Sequence, residues 1–128
     1  MKVRKEFTCP LEIVHDIVKG KWKTIIIFLI AKRRVSFSEL HRDINGITQK
    51  MLLEQLKELH AFGIVDKKSY DGYPLKVEYF LTPRGEKILS AIRIMQDVGI
   101  EYMVEHGMTD ILIEKGISYP ECYIQKSK

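Results

Sequence analysis

The sequence predicts an α+β fold, mostly helical, in a single domain of 128 residues. Three observations carry that expectation. Residues 35–63 read as two helices about a tight Asn45-Gly46 turn, residues 64–82 as a hairpin of strands, and residues 83–106 as one long helix with a broad apolar face. At 45% hydrophobic the chain has enough apolar surface to bury a core. Its apolar run Thr24–Ala31 is too short for a bilayer, which takes about 20 residues. The N-terminal stretch MKVRKEFTCP carries charge without the apolar region of a signal peptide. A cytoplasmic protein is expected.

Residues 1–9 read as a charged arm. Pro10 suits the first position of a helix, where its missing N–H is no loss, with Thr8 or Cys9 as the cap. Leu11, Val14, Ile17 and Val18 give this helix an apolar stripe, and Gly20 ends it. Lys21–Lys32 is a second helix around WKTIIIFLIA. Three consecutive isoleucines favour a strand, but the length of the run and its basic tail favour a buried helix. Trp22 is expected in the core, at the junction of the first two helices.

The central pair of helices is the most strongly marked. Ser36 with Glu39 three residues on makes a capping box. Phe37, Leu40 and Ile44 share one face. Asn45-Gly46 breaks the helix, because both residues accept positive φ cheaply. Thr48 can cap the next helix with its hydroxyl. Leu52, Leu56 and Leu59 form its buried stripe, and Gly63 stops it. The opposite face carries Gln49, Lys50, Glu54 and Lys57. Two helices about a short Gly-containing turn match a helix-turn-helix. A helix entering the major groove places its base-reading side chains in its first turn. Gln can pair with adenine, and Lys can donate to guanine or phosphate.

Ile64–Tyr70 and Lys76–Thr82 read as strands around the turn Asp71-Gly72-Tyr73-Pro74-Leu75. Lys67, Lys68 and Lys76 lie on this hairpin, where they can contact phosphate or guard an exposed sheet edge. Helices, helix-turn-helix and basic hairpin follow one another in the order of a winged helix. Thr82-Pro83 then opens the long helix. Ile88, Ile92, Met95, Gly99 and Tyr102 lie along one face, widened by Ala91, Val98 and Met103. That is more apolar surface than one small core requires, and it predicts a dimerisation helix. Asp97, Glu101 and Glu105 line the outer face, Thr109–Lys115 forms a short helix ended by Gly116, and the apolar ISYPECYI segment docks nearby.

Charge is distributed unevenly. Lys19, Lys21, Lys23, Lys32, Arg33 and Arg34 follow one another with no acidic residue between, whereas Asp97, Glu101, Glu105, Asp110 and Glu114 follow with no Lys or Arg between. Such polarity fits one end facing a polyanion. The two cysteines, Cys9 and Cys122, lie at opposite ends, and the four histidines are scattered, so neither a zinc site nor any cofactor is expected. P-loop, nucleophile elbow and HExxH patterns are lacking, so the chain is not expected to be an enzyme.

These residues resemble the HxlR family of bacterial winged-helix regulators, relatives of the MarR group. The resemblance runs from Cys9 to about Ile100. It rests on Cys9-Pro10, Gly20-Lys21-Trp22-Lys23, Phe37-Ser38-Glu39-Leu40, Gly46-Ile47-Thr48-Gln49-Lys50-Met51-Leu52, Gly63-Ile64-Val65, Lys76-Val77-Glu78-Tyr79, Leu81-Thr82 and Gly85. It implies a homodimer on palindromic operators in double-stranded DNA. Thr48, Gln49 and Lys50 would fall on the DNA-reading turn and Lys76 on the wing. Together with Ser38, Lys57, Lys67 and Lys68, these are the expected DNA contacts. Residues 1–20 and 83–124 would build the dimer interface. Several relatives sense electrophiles or oxidants through the cysteine before the first helix, the position of Cys9, and Cys122 would be its partner across the dimer. Cys9 also stands at a helix N-terminus, with Arg4 and Lys5 nearby in sequence, an electropositive setting of the kind reactive thiols use. Leu53 departs from the family, standing where many members carry a small polar residue. The competing expectation is a winged-helix module that binds protein rather than DNA.

Overall fold

A computed structural model describes residues 6, 8–31, 33–72 and 76–120. The order of elements is α1 (Leu11–Val18), α2 (Lys23–Ile30), β1 (Val35–Ser36), α3 (Phe37–Asp43), α4 (Gln49–Ala61), β2 (Val65–Tyr70), β3 (Lys76–Leu81), α5 (Pro83–Glu105) and α6 (Thr109–Glu114). This is a winged helix-turn-helix with a long helix after the wing. The chain divides into two compact units, 1–89 and 90–128, and α5 runs from the first into the second.

In the first unit, α2 buries Ile26, Ile27 and Ile30, while Ile25 stays partly exposed. That spacing is helical, so the isoleucine run is a buried helix despite its strand propensity. Leu40 of α3, Leu52, Leu56 and Leu59 of α4, Ile64 and Val65 are also almost fully buried. Each such side chain contributes about 1.5–3 kcal/mol relative to leaving it in water. The sheet is antiparallel with strand order β1-β3-β2. The hairpin register runs from Val65 opposite Leu81 to Tyr70 opposite Lys76, and β1 adds Val35 opposite Tyr79. Two residues leave no period to read, so β1 has no sequence signal.

Three local expectations change. The first concerns Thr8 and Cys9, which do not cap α1 with their side chains. Pro10 occupies the cap position without a side-chain hydrogen bond, and the Glu12 carboxylate reaches back to the amides of Thr8 and Cys9. An acid in the first turn, where the helix dipole favours negative charge, thus holds the chain that enters α1. Trp22 is half-buried instead of fully in the core, and a Cβ on Gly46, in the α3–α4 turn, would sit 4.0 Å from its ring. The third is that Lys23, in the middle of the basic run, is buried.

The second unit holds most of α5, then α6. Gly107 and Gly116, both at positive φ, end these two helices. The apolar stripe expected along α5 splits. Ile92 and Val104 are buried, whereas Ile94, Met95, Val98 and Tyr102 are more than half exposed. One edge of the stripe, at Ile92, is thus covered by the unit itself, while Met95, Val98 and Tyr102 beside it stay open.

Candidate nucleic-acid interface

Helix α4 is fixed at both ends and along its inner face. The Thr48 hydroxyl accepts the Met51 amide at 3.1 Å, as the sequence predicts. Ser36 likewise accepts the Glu39 amide at 3.2 Å, and its hydroxyl donates to the Glu39 carboxylate at 3.2 Å. At the far end Gly63 takes φ +72°. Its amide donates to His60 at 3.0 Å, and the Ile64 amide donates to Leu59 at 3.0 Å. This Schellman pair satisfies two of the last carbonyls. Arg84 donates to the Phe62 carbonyl at 2.7 Å, outside the helix.

A buried charge ties α4 to α2. Lys23 is only 3% exposed, and its ammonium lies 2.6 Å from the Glu58 carboxylate. An ammonium that deep needs a partner, because desolvating an unpaired charge costs several kcal/mol. Sequence reading assigned Lys23 to a basic surface. Its partner lies on another helix, and only a charge at an inward position of α2 hints at the pair. The rest of the basic run is also engaged in part. Arg33 pairs with Glu39 at 2.7 Å. Desolvation works to raise the Glu39 pKa, but Arg33 and the two Ser36 hydrogen bonds outweigh it and hold the carboxyl below its ordinary range. Arg34 lies 4.8 Å over the Phe80 ring and donates to the Tyr70 hydroxyl at 3.2 Å.

With its leucines turned inward, α4 exposes Gln49, Lys50, Leu53, Glu54 and Lys57. Thr48 and Ser38, each at the start of its helix, are exposed too. The expected contact residues of the helix-turn-helix therefore share open surface. The wing lysines, also exposed, are divided between two faces of the hairpin. Lys67 stands opposite Tyr79, and with Leu53, Leu56, Lys57, His60 and Tyr79 it lines a shallow depression of about 100 Å³. Lys68 and Lys76 fall on the other face of the hairpin by the two-residue alternation of strands. There Lys68 lies 5.2 Å from the Tyr70 ring, and Lys76 is 3.9 Å from Glu78. One lysine of the wing thus joins α4's surface and two do not. The turn residues 73–75 lie outside the described residues.

Cys9 is exposed and free, and its amide donates to Glu12 at 3.3 Å. Arg4, Lys5 and Cys122, on which the sequence reading of this cysteine also drew, lie outside the described residues. No described helix is long and apolar enough to cross a membrane.

Comparison with known proteins agrees with this architecture. The HxlR-like helix-turn-helix family model matches residues 17–107. The uncharacterized HTH-type transcriptional regulator YkvN of Bacillus subtilis strain 168 is 42% identical over 84 residues, covering 66% of this chain and 71% of YkvN. Among solved structures, a protein from Porphyromonas gingivalis W83 described as a transcriptional regulator of the MarR family superposes with TM-score 0.71 at 42% identity, over 79% of this chain and 98% of that one. The redox regulator HypR in its reduced form superposes with TM-score 0.69 at 38% identity, over 71% of this chain and 90% of HypR.

Proposed function

The chain belongs to the HxlR-like helix-turn-helix family of transcriptional regulators, and we propose that it acts as a cytoplasmic homodimer on palindromic operators, with α4 in the major groove. The observation that carries this reading is the outer face of α4. A helix capped at both ends, and tied to α2 through Lys23 and Glu58, turns Gln49, Lys50 and Lys57 to solvent together. Side chains on a rigid element can hold the geometry that base recognition needs. Ser38 and Thr48 are positioned to meet the flanking phosphates, and Lys67 extends the basic surface onto the wing. Lys68 and Lys76, on the other face, suit a phosphate farther out.

Dimerisation is supported by the apolar row Ile94, Met95, Val98 and Tyr102 on α5 and by the exposed Leu11 and Val14 of α1. Exposed apolar surface of this kind marks an interaction site, and in this reading a second copy covers it. In this reading Cys9 is an oxidant or electrophile sensor, as its exposure and the likeness to the redox regulator HypR support. Oxidation would then change the dimer geometry and with it the spacing of the two α4 helices. No catalytic reaction is assigned to the chain.

A hydroxyl-radical footprint on the gene's own upstream DNA tests the proposal. It should show two protected half-sites whose centres lie about 10 bp apart or at a multiple of that. A second reading, a module that docks protein through the α5 row, draws on the same exposed side chains. A monomer in solution with no protected half-site would favour it and overturn the first.

A further inference from the structure

Leu53 is an apolar side chain in the middle of a polar reading face. It is 41% exposed, although Leu52, Leu56 and Leu59 already fill the inner side of α4. It follows Lys50 by three residues and precedes Lys57 by four, so all three fall on one side of the helix. Gln49 stands one turn before it, and Glu54 is the acidic neighbour. At about 1.5 Å per residue, Leu53 lies about 4.5 Å along the axis from Lys50. A base-pair step is about 3.4 Å, so the two side chains address neighbouring base pairs.

An exposed leucine between lysines is poorly suited to phosphate or to the donors and acceptors of most base edges. One group in the major groove suits it. Thymine alone presents a methyl there, and apolar side chains contact it. We propose that Leu53 is a specificity-determining residue that reads the C5-methyl of a thymine in each operator half-site, beside the base pair addressed by Lys50. The inference rests on the DNA-reading role of α4 proposed above. Leu53 also lines the depression shared with Lys57, Lys67 and Tyr79, so its inner side is seated while its outer side remains available to the base.

The test uses the full-length protein and an operator selected from a random pool of duplexes. Each thymine of the selected duplex is replaced in turn by deoxyuridine, which removes the methyl and keeps the base pairing. Wild type, Leu53→Ala and Leu53→Met are titrated onto every duplex. For wild type and Leu53→Met, one position per half-site should weaken binding about fourfold, and both half-sites together about fifteenfold, the loss expected for one buried methyl at each. Leu53→Ala should bind the thymine and deoxyuridine duplexes equally. The inference is overturned if no thymine can be distinguished from deoxyuridine by the wild type, or if Leu53→Ala keeps the wild-type ratio. A leucine that merely packs against the wing would weaken both duplexes alike when shortened, which also overturns it. Selection that enriches no sequence defeats the DNA-reading role itself, a failure separable from specific binding without methyl discrimination.

Discussion

Gly85 should resist substitution, although it sits in the first turns of a long helix. A Cβ built there falls 2.2 Å from the Ile64 carbonyl oxygen and 3.2 Å from a Leu81 methyl. An ordinary carbon–oxygen contact is about 3.3 Å or more, so the backbone must part by about 1 Å. The obstructing atom cannot rotate away. It belongs to the chain segment leaving α4, and it already accepts the Thr82 amide at 3.1 Å. Thr82 in turn accepts the Gly85 amide at 3.1 Å, so a shift disturbs the start of α5 as well. Overpacking of this kind costs about 1–3 kcal/mol, and a backbone obstruction falls at the upper end. The better helix propensity of alanine returns about 1 kcal/mol. The expected net loss for Gly85→Ala is therefore about 1–2 kcal/mol, or a fall in Tm of roughly 3–10 °C for a domain of this size. Thermal unfolding followed by circular dichroism, at one protein concentration, measures the loss. A Gly85→Ala protein as stable as wild type would refute the close approach of α5 to the end of α4.

Other expectations follow from the same geometry. Thr48→Ala removes the cap of α4 and should lower stability by about 1 kcal/mol in urea unfolding, with DNA affinity falling as the reading turn frays; unchanged midpoints would deny the cap its role. Lys23→Ala strands Glu58 and should cost about 2–3 kcal/mol, less than a fully buried pair because Glu58 is 31% exposed; a double-mutant cycle with Glu58→Ala reads the coupling. Burial pushes the Tyr79 phenol above its ordinary value. The neutral phenol is common to both states below about pH 10, so its contribution is fully present there and is lost as pH rises toward the folded-state value. Tyr79→Phe should flatten that alkaline limb of the stability curve. If Cys9 is the sensor, diamide should change DNA affinity in the wild type and leave Cys9→Ser unaffected; equal sensitivity in both proteins counts against it.

Legibility in the sequence followed the range of the interaction. Ser36 with Glu39, Thr48 with Met51 and the Gly63 stop act within a few residues, and reading the chain in order finds all three. The leucines of α4 repeat at helical spacing, so the exposed face with Gln49, Lys50 and Lys57 followed by subtraction. Features that join distant segments were not legible. Lys23 looks like its basic neighbours until Glu58 is brought to 2.6 Å. Gly85 shows no local need for glycine, because the carbonyl it accommodates lies on Ile64. The wing lysines appeared as one cluster, yet strand alternation divides Lys67 from Lys68 and Lys76. The apolar breadth of α5 was legible, whereas only burial tells the covered Ile92 from the open Met95, Val98 and Tyr102 along it.

The most direct test of the central claim, that the outer face of α4 reads DNA, is a fluorescence-anisotropy titration of the upstream duplex and a scrambled duplex of equal length. It is run at several salt concentrations with wild type and Lys50→Ala. The account predicts preference for the upstream duplex and a log–log salt slope of about −0.9 for each phosphate neutralised. It also predicts a loss of about 1–3 kcal/mol on Lys50→Ala, if that lysine reads a base. Equal, weak binding to both duplexes, or a Lys50→Ala protein that binds the upstream duplex as tightly as wild type, would contradict it.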